Sequence, residues 1–193
     1  MIRKILNILI GVIFVLYPLG VFLGFNYFEP RFIGMLLLVF FTLRGLFFIN
    51  KNLIKNLYQL APIAIAVFVT SMAVIIFNEN IFLRLHPVLI SLAFLFSFGY
   101  TLIKPPSMVE RFARLKDPQL SNDAIAYTKT VTKVWCLFFI LNGSAAAYTT
   151  FYASFEVWTI YNGLISYILM GILFITEFIV RHFKIISTKQ NTI

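Results

Sequence analysis

Cysteine, histidine and acidic residues are scarce in this 193-residue chain, which has one Cys, two His and seven Asp or Glu. The single Cys136 excludes an intrachain disulfide, and a lone thiol in an apolar stretch reads as a packing residue. His86 and His182 share no ligand spacing, so no metal site is expected. Charged residues of both signs make up only 12% of the chain, against about 25% in an ordinary soluble domain. What is present is apolar: 61% of the residues, with 23 Phe and a mean hydropathy of +0.92. A water-soluble core cannot absorb that excess, so the chain reads as an integral membrane protein.

A helix crossing a hydrocarbon core of about 30 Å needs roughly 17–25 apolar residues. Six blocks qualify or nearly do: 5–25, 32–49, 57–77, 87–103, 130–152 and 158–180. Closed β-barrels are the alternative way to span. They need alternating polarity, whereas Met35–Phe41 is apolar at every position. The first block follows Arg3 and Lys4 but lacks a small-x-small cleavage site, so it reads as a retained span rather than a signal peptide. The expected fold is an all-α membrane protein: one domain over 1–193, with six transmembrane helices in three antiparallel hairpins.

The basic residues orient it. Thirteen fall on one side: Arg3, Lys4, Lys51, Lys55, Lys104, Arg111, Arg114, Lys116, Lys129, Lys133, Arg181, Lys184 and Lys189. The opposite turns, 26–31, 78–86 and 153–157, hold only Arg31 and Arg84. The positive-inside rule then places both termini in the cytoplasm of a bacterial inner membrane. The net charge of +9 is accounted for by this bias and by anionic lipid, without a nucleic-acid partner.

The cytoplasmic loop 104–129 carries its own pattern. Pro105-Pro106 ends the fourth span, and Ser107 with Glu110 forms a capping box that starts a short helix. Met108, Phe112 and Leu115 make an apolar stripe, while Arg111, Arg114 and Lys116 lie off it. The simplest reading is an interfacial amphipathic helix with Phe and Leu in the lipid. The sharper reading is a docking site built from Glu110, Arg111, Phe112, Arg114 and Lys116 for an acidic partner or an anionic lipid intermediate. A second helix start at Ser121–Asp123 leads into the fifth span.

Polar residues inside spans are costly and are functional candidates by default. Arg44 and Glu177 fall at similar depth near the cytoplasmic interface, where they either pair or snorkel separately. Asn142, with Gly143 beside it, and Asn162, with its own Gly163, lie on the fifth and sixth spans and are expected to hydrogen-bond between helices, with substrate binding as the alternative. Gly143 and Ala147 give a small-xxx-small spacing that permits close approach. Tyr148, Tyr152, Trp158 and Tyr161 gather at the outer turn, where amphipathic rings prefer to sit.

Several stretches resemble a known family. They are His86–Leu89, Pro105–Leu115, Tyr127–Lys129, Val134–Cys136, Phe138-Phe139, Asn142-Gly143, Glu156–Ile165 and Glu177–Arg181. The family comprises small multi-span inner-membrane proteins of Gram-negative bacteria, often encoded among genes for aryl-polyene or xanthomonadin-like pigment synthesis, beside acyl carrier proteins. Its pattern often has Tyr where this chain has His86, and Arg where it has Lys129. The resemblance covers the second half of the chain well and implies a pathway context, with no catalytic residue to carry over.

Three functions follow as expectations. The first is a non-enzymatic accessory component that anchors or handles a polyene or lipid-like metabolite, with membrane lipids and an acyl carrier protein as partners. The second is a small transporter or flippase with Arg44, Glu177 and Asn142 along its path. The third is a membrane transferase, which ranks last: the chain lacks an aspartate-rich Mg²⁺ motif and a His-x₄-Asp pair, so acid–base and covalent chemistry have no evident players. No cofactor is expected, and a homo-oligomer stays open.

Overall fold

The computed structural model describes residues 28–48, 57–115 and 117–190, and all regular structure among them is helical. In chain order the helices are α1 (Pro30–Phe48), α2 (Leu57–Phe77), α3 (Asn80–Ile103), α4 (Met108–Arg114), α5 (Asn122–Tyr152), α6 (Phe155–Ile160) and α7 (Ser166–Gln190), with a π-helical turn, Tyr161–Ile165, between the last two. The first apolar block, 5–25, and Lys116 lie outside the described residues. Three helical stretches are long and apolar enough to cross a membrane: Asn80–Ile103, Asn122–Tyr152 and Phe155–His182. Pro30–Val39 and Ala61–Phe77 are shorter apolar segments.

Short polar signals set the helix boundaries. Ser121 caps α5 by accepting the Ala124 N–H at 3.3 Å, and Ser154 caps α6 by accepting the Val157 N–H at 3.4 Å, each satisfying a donor the first turn leaves open. Asn78 closes the α2–α3 turn at φ 53°, a left-handed conformation that Asn adopts more readily than most residues. Its Oδ1 also accepts the Arg31 N–H at 3.0 Å, tying the start of α1 to that turn.

Two turns are tighter than the sequence suggests. The break expected over 78–86 is only Asn78-Glu79, because α3 starts at Asn80 rather than near residue 87. Arg84 and His86 are therefore helical residues and not loop residues. Likewise the break expected over 153–157 is only Ala153-Ser154. At the first turn the Arg84 guanidinium reaches carbonyls of α5, and at the second Ser154 caps the next helix directly, so neither needs a longer loop. The second helix start, expected near 121–123, shortens the 104–129 loop: α5 begins at Asn122.

Packing runs α1 on α2, α2 on α3, α3 on α5 and α4 on α5. One apolar cluster joins Ile33, Leu37, Val74, Leu83 and Trp158. A second joins Val131, Trp135 and Phe139 to partly buried neighbours that include Met170 and Leu173 of α7. A Cβ on Gly143 would lie 3.0 Å from the Ser91 Cβ. The glycine thus permits the expected close approach, and its partner is α3. The span that includes α7 is only 6% buried, against 28% for α3 and α5, and its exposed side chains include Ile168, Ile172, Phe174 and Ile175. A helix apolar on its outward face fits lipid contact, since lipid removes the need for a polar side.

Candidate functional site: a polar junction among apolar helices

Pro87 interrupts the backbone ladder of α3, because it has no N–H for the carbonyl four residues back and its ring crowds that turn. The adjacent Arg84 carbonyl receives two donors from other helices, Thr150 Oγ1 at 2.9 Å and Trp158 Nε1 at 3.1 Å. Side chains from neighbouring helices are how apolar bundles satisfy backbone groups near a proline. Trp158 is 1% exposed, so its ring fills the core while its one polar atom meets this carbonyl.

The Arg84 side chain returns the favour to α5. Its Nη2 donates to the Thr149 carbonyl at 2.7 Å and to the Ala153 carbonyl at 2.8 Å. These lie at the C-terminal end of α5, where carbonyls run out of helical N–H partners and a cation also complements the helix dipole. Arg84 Nε is buried without a hydrogen-bond partner. His86 is buried two residues further along α3.

The two asparagines complete the junction. Asn142 donates through Nδ2 to Ser91 Oγ at 3.3 Å and accepts the Tyr161 hydroxyl at 3.2 Å. One α5 side chain thereby joins α3 to the π-turn. Asn162, inside that turn, donates through Nδ2 to the Trp158 carbonyl at 2.9 Å and to Thr149 Oγ1 at 3.2 Å. Its Oδ1 is buried without a donor. The expected bonds between helices are present, in two separate sets: Asn142 with Ser91 and Tyr161, and Asn162 with Thr149 and Trp158.

Glu177 stands apart from this junction. Its carboxylate lies 3.5 Å from Arg181 Nε on the same helix, and its carbonyl accepts the Tyr127 hydroxyl at 3.3 Å. Arg44 is on α1, but its side chain lies outside the described residues, as does Lys116.

The 104–115 segment differs from a free docking helix. Glu110 is 5% exposed. It accepts the Ser107 N–H at 3.3 Å and pairs with Arg114 at 2.7 Å. Arg114 also donates to the Pro118 carbonyl at 3.0 Å. Arg111 donates to the carbonyls of Pro106 at 2.7 Å and Lys104 at 3.3 Å. Both arginines thus brace their own loop. Met108 is buried, whereas Phe112 and Leu115 are exposed. The Val109 N–H donates to Thr132 Oγ1 at 3.2 Å, which docks α4 on α5. A cavity of 140 Å³ opens there, lined by Thr101, Leu102, Pro105, Ser107, Glu110, Ile125 and Lys129.

Sequence reasoning left Arg84, Ser91, Thr149 and Thr150 out of the site. One signal was available: an arginine and a proline within one apolar run put a cation and a disturbed helical turn at the same place. Comparison with family models, with curated proteins and with solved structures returned no match. Among the described residues, no three His, Cys, Asp or Glu come together as a metal site would need. The junction holds a guanidinium, an imidazole, amides and hydroxyls, directed largely at carbonyls and at one another. That chemistry joins helices and presents fixed donors and acceptors.

Proposed function

We propose that this chain is a multi-pass protein of the bacterial inner membrane, with six spans in three antiparallel hairpins and both termini cytoplasmic. It serves as an accessory component that anchors or handles a polyene or lipid-like metabolite during its synthesis. The observation that carries the reading is the combination of an apolar outer surface with intramembrane polar groups turned inward onto one another. Such a bundle offers apolar chains a surface while its own polar atoms hold the helices in place. The thirteen-to-two bias of basic residues supports the orientation and offers positive charge on the cytoplasmic face, which suits an acidic acyl carrier protein.

Orientation is tested by labelling single cysteines in a Cys136→Ala background in intact cells. Glu156→Cys is expected to react with a membrane-impermeant maleimide from outside, and Gln119→Cys only after the membrane is opened. The accessory role is tested by deleting the coding sequence in its host and measuring the polyene or lipid product. The expected result is a loss of product that is restored by the wild-type chain, and an unchanged product level overturns the role.

One observation favours a second reading, a small transporter or flippase. The buried Asn162 Oδ1 without a donor, set in a π-turn, is the type of group that could meet a passing ligand. Flux of a labelled lipid across liposomes containing the purified protein, lost in Asn162→Ala, would favour transport over the accessory role.

A further inference from the structure

We propose that the cleft between α4 and α5 holds one anionic phospholipid, its phosphate on Lys129 and Lys133 and an acyl chain along Ile103 and Phe112. Lys129 and Lys133 are one helical turn apart on the exposed face of α5, and Lys129 also forms part of the cavity wall. Among the described residues neither has a carboxylate partner, whereas the Glu110 carboxylate in the same cavity is matched by Arg114. Residues 104–133 carry six Lys or Arg against three Asp or Glu, so the surplus charge at the cleft is positive. This complements an anionic headgroup and disfavours a zwitterionic one.

The apolar half of the cleft points to a lipid rather than a free phosphate. Leu102, Pro105 and Ile125 line the cavity with Lys129, and Ile103, next to Leu102, and Phe112, two residues beyond the lining Glu110, are 80% and 59% exposed, an apolar surface that a soluble anion would not use. Cations and exposed apolar side chains together are the signature of the membrane interface, where headgroups and acyl chains meet. The depth agrees, because α3 ends at Ile103 and is followed by Lys104, as a spanning helix does on leaving the hydrocarbon. The site rests on the membrane reading but not on the accessory role.

The test uses the full-length protein in a neutral detergent, titrated with phosphatidylglycerol or phosphatidylcholine of the same acyl chains and weighed by native mass spectrometry. One phosphatidylglycerol is expected to stay bound at concentrations where phosphatidylcholine is lost. The Lys129→Gln, Lys133→Gln double variant should bind it about twenty-five-fold more weakly, at roughly five-fold per lysine. Lys129→Arg, Lys133→Arg should retain it, and Arg31→Gln, on the α1 side of the α2–α3 turn, should not alter it. Equal retention of the two lipids, or a Gln variant that binds like the wild type, overturns the site. Resistance of the membrane-bound protein to alkaline carbonate checks the membrane reading separately, so the two can fail independently.

Discussion

Arg84 and Arg114 both donate to backbone carbonyls, one between apolar helices and the other at the end of the short helix α4. Arg84 holds the end of α5 against α3, and its own carbonyl accepts two donors from beyond its helix. Arg114 holds Pro118 and Glu110 within a few residues of itself. The bond lengths are alike, but the surroundings are not. When Arg114 lets go, water replaces it; its side chain is already 37% exposed. When Arg84 lets go, it leaves two part-buried carbonyls at the end of α5, Thr149 and Ala153, without their shared cation. Depth, more than geometry, therefore decides which of these contacts the fold depends on.

The comparison can be broken by four substitutions, each read as unfolding in mixed detergent micelles. Trp158→Ala should have the largest effect, about 3–5 kcal/mol, because it empties a buried aromatic site and removes one donor to the Arg84 carbonyl. Arg84→Gln should cost about 2 kcal/mol, within the range of roughly 1.5–3 for bonds to a charged group. Arg84→Lys should recover part of it by restoring the cation. Arg114→Gln should cost less, about 1 kcal/mol, because the guanidinium is partly exposed while the buried Glu110 carboxylate loses a partner but keeps the Ser107 N–H. Equal losses for Arg84→Gln and Arg114→Gln would show that depth does not separate the two ends.

Much of the helical architecture was readable from hydropathy and caps. The Ser107–Glu110 start, the Ser121 start and the Asn142 and Asn162 bonds between helices all appear where local chemistry asked for them. Arg84 was not readable as a site, because a charged residue near polar neighbours looks like a loop until its acceptors on α5 are known. The reverse happened at Arg111 and Arg114: off-stripe cations look free in sequence, but nearby carbonyls and Glu110 engage them. Gly143 revealed that a helix comes close but not which one, since spacing along one helix carries no information about its partner.

The π-turn also works as a phase corrector. Trp158, Asn162 and Ser166 are buried and Met170 packs on the second cluster, so inward positions recur every fourth residue. On an uninterrupted α-helix a four-residue repeat drifts by about 40° per step, or about 120° over these three steps. The wide turn at Tyr161–Ile165 accommodates one extra residue and takes back about 100° of that drift. One added residue thus lets a single continuous helix present Trp158 to α1–α3 and, three turns later, Met170 to α5. Removing one residue from this turn would swing all of α7 around its axis and turn its lipid face toward the bundle.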